Sequence, residues 1–268
     1  MKMKKITKIE AQKRPGRYNI YLNGQYAFPV AESVLIKYRL AKDLELDTAT
    51  LEQITKDDQI AKAYGRMLDY LSHQLRTEAE VKQKLIDLET PPEMIDPVME
   101  HLRSNRLLDD QVYADSYVRT VMHTELKGPQ VIRQKLRQKG VGELVIDQAL
   151  EQFDLNNQLE NAQKLAQRLV QRYRHEPTRR QEEKVRQGLM TNGYSSDLYN
   201  QLKEDLVLVN DEDQQASLLA TSGEKIWQRN RRYENLYERK MKTKQALYRK
   251  GFDLDAIDRW LAERDSKK

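Results

Sequence analysis

The sequence predicts a mainly α-helical protein: tandem three-helix repeats in an elongated, curved array, behind a small N-terminal β-hairpin or three-stranded module. Three observations predict this. Residues 4–30 alternate apolar and polar side chains around an Asn-Gly pair. From residue 61 onward the apolar period becomes helical. One helix-ending pattern, leucine followed four residues later by glycine and then an apolar residue, recurs along the chain.

In the N-terminal segment, Ile6 and Ile9 share one β-like run, and Tyr18, Ile20 and Leu22 alternate with Asn19 and Tyr21. Asn23-Gly24 then leads to Tyr26, Phe28 and Val30; a type I′ turn needs positive φ at both central residues, and Asn-Gly supplies it. Arg14-Pro15-Gly16-Arg17 reads as the preceding turn, Pro29 as a sheet-edge residue, 31–38 as a helix and Leu44–Leu46 as a short extended stretch. So few strands need a partner to be stable, and the helix starting near Asp47–Thr50 is the nearest one. Tyr18, Tyr21 and Tyr26 either stack bases or cover a thin sheet.

The repeat is anchored at Leu85, Leu136, Leu189 and Leu247, at spacings of 51, 53 and 58 residues. Four residues after the anchors stand Glu89, Gly140, Gly193 and Gly251, and one further on Thr90, Val141, Tyr194 and Phe252. A Schellman cap puts a left-handed residue just past the helix and packs the next residue on the leucine, which gives Gly140, Gly193 and Gly251 a structural role. Gly142, Ser195 and Asp253 then suit the N-caps of the following helices. The first copy lacks the glycine and is expected to end its helix through Pro91-Pro92 instead. An earlier helix precedes each anchor, at Ala61–Leu71, Val112–Met122, Ala162–Tyr173 and Ala216–Trp227. The expected organisation is a β module over 1–50 and repeats over 51–107, 108–155, 156–208 and 209–268.

Composition bounds the chemistry. The chain has no cysteine, which excludes disulfides and Cys-based metal sites. Its mean hydropathy is −0.87 and 33% of residues are charged, a balance suited to thin arrays with much surface and little core. The basic start from Met1 to Lys5 is followed by no apolar h-region, and no apolar run approaches a membrane span, so the cytosol is the expected location. The net charge of +5 is uneven: residues 61–160 hold 13 basic and 17 acidic groups, residues 161–268 hold 23 and 17. A basic C-terminal half suits an acidic or nucleic-acid-bearing partner.

Leu107-Leu108-Asp109-Asp110-Gln111-Val112-Tyr113-Ala114 through Tyr117 resembles a motif of the RecX family, regulators of the RecA recombinase. So does Lys127-Gly128-Pro129 running on to Leu136 and Lys139-Gly140-Val141, as does Gly251-Phe252 with Ile257. The likeness covers roughly the whole chain and is to the long form, with a β module and a fourth repeat. Asn192-Gly193-Tyr194 and Glu89-Thr90-Pro91 depart from the family pattern. The resemblance implies a non-catalytic regulator, monomeric and without cofactor, that binds the RecA–DNA filament and restrains recombinase activity in homologous recombination, DNA repair and the SOS response. The alternative is an autonomous nucleic-acid-binding helical repeat protein, since three-helix units can carry a helix-turn-helix.

No phosphate-binding Gly-x-x-x-x-Gly-Lys-[Ser/Thr] or Gly-x-Ser-x-Gly motif occurs, and His73, His101, His123 and His175 lack metal-ligand spacing. Asp109-Asp110 could form a carboxylate pair, but just before a helix one of the two is expected to be an N-cap. Basic clusters are the candidate contacts for the filament and for single- or double-stranded DNA. One holds Arg133, Lys135, Arg137 and Lys139; a second Arg168, Arg172, Arg174, Arg179 and Arg180. A third holds Lys225, Arg229, Arg231 and Arg232, and a fourth Lys240, Lys242 and Lys244. Such groups neutralise phosphates or meet acidic surfaces, or lie on a solvated face beside carboxylates such as Glu182 and Glu183.

Overall fold

A computed structural model of the chain describes residues 3–13, 15–204, 206 and 212–265. Arg14 of the expected first turn, the basic start at Met1 and Lys2, and the expected boundary near 209 fall outside them. The elements run β1 (Lys4–Ala11), β2 (Arg17–Leu22), β3 (Gln25–Ala31), α1 (Glu32–Lys37), β4 (Glu45–Leu46), α2 (Thr48–Leu71), α3 (Glu78–Asp87) and α4 (Pro92–Ser104). Next come α5 (Asp110–Thr124), α6 (Pro129–Gln138), α7 (Glu143–Leu150), α8 (Leu155–Arg172), α9 (Thr178–Thr191) and α10 (Ser196–Leu202). Last are α11 (Glu212–Arg229), α12 (Leu236–Arg249) and α13 (Leu254–Asp265), with a 3₁₀ turn at Asn230–Arg232. Two compact units result: Met1–Ala114 with Leu136–Ile146, and Asp115–Lys135 with Asp147–Lys268.

In the first unit the antiparallel sheet has the order β3-β2-β1-β4; the extended stretch expected at Leu44–Leu46 joins the three expected strands as β4. Asn23 and Gly24 have φ of 51° and 86°, as the hairpin turn demands. Pro29 lies in the edge strand β3, opposite Asn19, where a missing N–H breaks no ladder. One sheet face buries Ile6, Ile20, Leu22 and Val30 against Ile54 of α2. Asp47 caps α2 by accepting from the Thr50 N–H at 2.7 Å. Asp58 ties that helix to the sheet: it takes a bidentate Arg17 at 3.1 and 2.9 Å and the Ala31 N–H at 2.7 Å.

The sequence places one helix start near Asp47–Thr50 and a further helix over Ala61–Leu71; the two are a single helix, α2, which begins at Thr48 and runs unbroken to Leu71. Its first half faces the sheet through Leu51 and Ile54, and its second half faces α3 and α4 through Ala63 and Met67. One helix therefore serves two cores. The second includes Val81, Leu85, Ile95, Val98 and Leu102, all buried.

In the second unit, α8, α9 and α10 close over Ala166, Leu169, Val185, Leu189, Tyr194 and Leu198. Helices α11, α12 and α13 close over Leu219, Trp227, Leu247, Phe252, Ile257 and Leu261.

All four anchor leucines are fully buried, and each accepts the Schellman bond from five residues on: Thr90 to Leu85 and Val141 to Leu136 at 3.1 Å, Tyr194 to Leu189 at 3.1 Å, Phe252 to Leu247 at 3.3 Å. The first copy corrects the sequence reading. Helix α3 ends through the same turn as the others, with Glu89 itself in the left-handed conformation at φ 54°, and Pro91-Pro92 only start α4.

One joint recurs where a middle helix of one triplet starts beside the end of the next triplet's middle helix. In the first unit, Thr77 caps α3 and its hydroxyl donates to the Lys139 carbonyl at the end of α6, at 2.7 Å. In the second unit, Gly128 N–H donates to the Asn192 carbonyl at 2.7 Å and Gln130 N–H to the Gly193 carbonyl at 3.2 Å, so the start of α6 meets the end of α9. In the same unit the start of α9 meets the end of α12, where a Cβ on Gly251 would stand 2.9 Å from Arg180 Cβ. Each joint sets the start of one helix against the end of another, so that opposite ends of two helix dipoles meet, and between α6 and α9 backbone N–H groups of the first reach carbonyls of the second.

Candidate partner-binding surfaces

The paired carboxylates divide their work between two helices. Asp109 Oδ1 accepts from the Gln111 and Val112 N–H groups at 2.8 and 3.2 Å and is the N-cap of α5. Asp110 accepts at 2.8 Å from the N–H of Glu78, the first residue of α3, and so caps a helix that lies earlier in the chain. Burial raises the Asp110 carboxyl above its usual value.

The α6 cluster is largely neutralised within the chain. Arg133 pairs with Asp147 at 2.5 Å, Arg137 with Glu143, and Lys139 with Glu80 at 2.6 Å. The hydrogen bond to Glu80 raises Lys139. Burial alone would raise Glu80, but Lys139, the Thr77 N–H and Arg76 outweigh it and hold this carboxyl below its usual value. Lys135 is exposed and has no ion pair among the described residues.

The second cluster is split. Arg168 is exposed at the rim of a hollow of about 530 Å³ that also holds Lys127, Glu125 and Glu160. Arg172 lies over its neighbour Tyr173 at 5.5 Å, and Arg174 donates to His175 at 3.0 Å. Arg179 stacks on Tyr248 at 4.4 Å, and Arg180 pairs with Glu183 at 2.6 Å.

In the last triplet Lys225, Arg229, Arg231 and Lys242 are exposed without an ion pair among the described residues. Arg232 lies against the Tyr233 ring at 5.1 Å, Lys244 pairs with Asp258 at 2.6 Å, and Lys240 is half-buried. Gly140, Gly193 and Gly251 occupy the left-handed position of their turns, with φ of 80°, 92° and 96°.

Sequence reasoning missed four cations. Arg239 donates twice to the Trp227 carbonyl, at 3.2 and 2.8 Å, and covers that indole at 4.0 Å. Burial and neighbouring Arg231 both lower it. Arg186, Lys203 and Arg249 join Arg179 and Arg180 around a cleft of about 500 Å³. Arg186 was findable, since it follows Arg179 by seven residues on one helical face. Arg249 was not, because the joint between α9 and α12 brings it there.

On the sheet, Tyr18 and Tyr21 donate to Glu32 and Glu10, and Tyr21 meets Tyr26 edge-on at 5.9 Å. Among the described residues no group of three His, Asp or Glu side chains could hold a metal ion, and no helix is long and apolar enough to cross a membrane.

A sheet module followed by three-helix units joined end to start defines a helical repeat protein. Residues 4–47 match the Regulatory protein RecX N-terminal domain. Residues 63–102 match the first RecX three-helix domain, 109–150 the second, and both 156–201 and 212–261 the third. The chain is 56% identical over 263 residues to regulatory protein RecX of Limosilactobacillus reuteri (strain DSM 20016), covering 98% of this chain and 99% of that one. It is 36% identical to regulatory protein RecX of Bacillus subtilis (strain 168), over 97% and 98% of the two chains. A crystal structure of regulatory protein RecX, 58% identical, superposes with a TM-score of 0.71 over 75% of this chain and 99% of its own. The chain belongs to the RecX family of regulatory proteins.

Proposed function

We propose that this protein regulates the RecA recombinase by binding the RecA–DNA filament, and that it restrains the filament without catalysing a reaction of its own. The match of the whole chain to regulatory RecX proteins carries this reading. The protein acts as a monomer in the cytosol, in recombination and repair. Contacts come from cations that no carboxylate among the described residues holds, Lys135, Arg168, Lys225, Arg229, Arg231 and Lys242 among them. Cations already paired, such as Arg133, Arg137 and Lys244, would have to exchange a partner for a partner and add less. The test is RecA-catalysed ATP hydrolysis on single-stranded DNA, titrated with this protein. Hydrolysis should fall at amounts below one protein per RecA subunit. An unchanged rate at saturating amounts removes the proposal.

A further inference from the structure

The cleft between α9, α10 and the end of α12 lies wholly within the second unit, and its charge is out of balance. Five cations line it, against Glu182 and Glu183. Glu183 is taken by Arg180 at 2.6 Å, and Glu182 stands 3.7 Å from Lys203. Arg179, Arg186 and Arg249 are exposed and have no carboxylate partner among the described residues. Three guanidinium groups crowded around a concavity repel one another, and a polyanion relieves that repulsion.

Two further observations bear on the ligand. Helix α9 has no side-chain N-cap and no acidic residue in its first turn, where it carries Arg179 and Arg180 instead. Cations at the positive end of a helix dipole oppose it, and such local misfits concentrate at functional sites. Arg179 also lies over the Tyr248 ring, its guanidinium carbon 4.4 Å from the centroid. A cation held over a ring in this way is restrained in place, and a guanidinium can offer two N–H groups to two oxygens of one tetrahedral anion.

We propose that this cleft is a phosphate site that seats the backbone of a single nucleic-acid strand, with Arg179, Arg186 and Arg249 as its contacts. A hollow of about 500 Å³ has room for one strand's backbone and sugar, whereas a duplex would only bridge its rim. The inference goes beyond the regulatory reading and does not depend on it, because its test contains no recombinase.

The test measures fluorescence anisotropy of a labelled oligothymidylate bound by the full chain across a salt series. Arg186→Ala with Arg249→Ala should weaken binding about tenfold or more. It should also flatten the slope of log affinity against log salt by about 1.4, at ~0.7 per lost contact on a single strand. Lys62→Ala with Arg66→Ala removes the same charge from the exposed side of α2 and should leave both quantities unchanged. If the double variant fails to fold by circular dichroism, Arg249→Ala alone should show half the change in slope. Equal losses in cleft and control variants, or no loss in the cleft variant, overturn the proposal. So does displacement of the oligonucleotide by polyglutamate at equal charge, which marks a carboxylate site. Displacement by inorganic phosphate as effectively as by the unlabelled strand overturns it too, since that marks an isolated anion site.

Discussion

At the end of α3 the left-handed residue is Glu89, with φ 54°, and at the end of α9 it is Gly193, with φ 92°. The two turns make the same hydrogen bonds, to Leu85 and to Leu189, both at 3.1 Å. Their surroundings differ. Glu89 is exposed, whereas a Cβ on Gly193 would lie 2.6 Å from the Val131 nitrogen and 3.0 Å from the Gly128 carbonyl oxygen. The turn alone tolerates an ordinary side chain at a cost of roughly 1–2 kcal/mol. What requires glycine at 193 is the start of α6 docking on it. Glycine in this motif therefore reports a joint between triplets as well as a helix end.

That comparison breaks most readily at Gly193. Replacing it by alanine adds backbone collision to the left-handed penalty and should lower stability by at least ~2 kcal/mol. Glu89→Ala should stay within ~0.5 kcal/mol of the unaltered protein. Chemical denaturation of both variants decides it, and a loss at Gly193→Ala no larger than the left-handed penalty of roughly 1–2 kcal/mol would show that the joint adds nothing.

A smaller effect is expected one residue on. Tyr194 is 2% exposed and its hydroxyl has no hydrogen-bond partner among the described residues, whereas Phe252 fills the corresponding place in the last triplet. Tyr194→Phe should raise stability by ~1 kcal/mol, since an unsatisfied buried polar group costs about that or more. Burial pushes the Tyr194 hydroxyl up to about 12. The unfolded chain ionises this group near pH 10, so it releases a proton there that the folded state keeps. The contribution is complete below about pH 10 and is lost as pH rises towards 12. Over that window the stability of the unaltered protein should fall relative to Tyr194→Phe, as denaturation at each pH will read. A parallel course for the two proteins would mean the hydroxyl is hydrated.

The smallest effect belongs to Glu89→Gly. It should stabilise by roughly 0.5–1 kcal/mol, the relief of the left-handed strain less the extra freedom of glycine in the unfolded chain. A thermal midpoint that falls would show that Glu89 makes a contact worth more than its strain.

The cations make the same point about context. On α6 and its end, Arg133, Arg137 and Lys139 read as part of a basic cluster, yet each meets a carboxylate brought by a neighbouring helix. Arg249 looks unremarkable in sequence, yet it ends beside Arg186 at one cleft, and neither has a carboxylate partner among the described residues. Spacing along a helix shows which side chains share a face, and says nothing of what another helix carries towards it.

Local order was legible because it depends on neighbours in the chain. The Asn23-Gly24 hairpin, the Schellman turns after Leu136, Leu189 and Leu247, the helix start near Asp47–Thr50 and the caps at Ser195 and Asp253 each follow from a few adjacent residues satisfying their own backbone. The sequence by itself also determined the recurrence of the triplets, since apolar period and turn residues repeat together. Only the tertiary structure decided that Glu89 adopts the glycine conformation, that Asp110 caps α3, and which cations keep a free charge. Those outcomes depend on groups tens of residues apart, whose separation is set by the packing of whole helices and is not written in any local pattern.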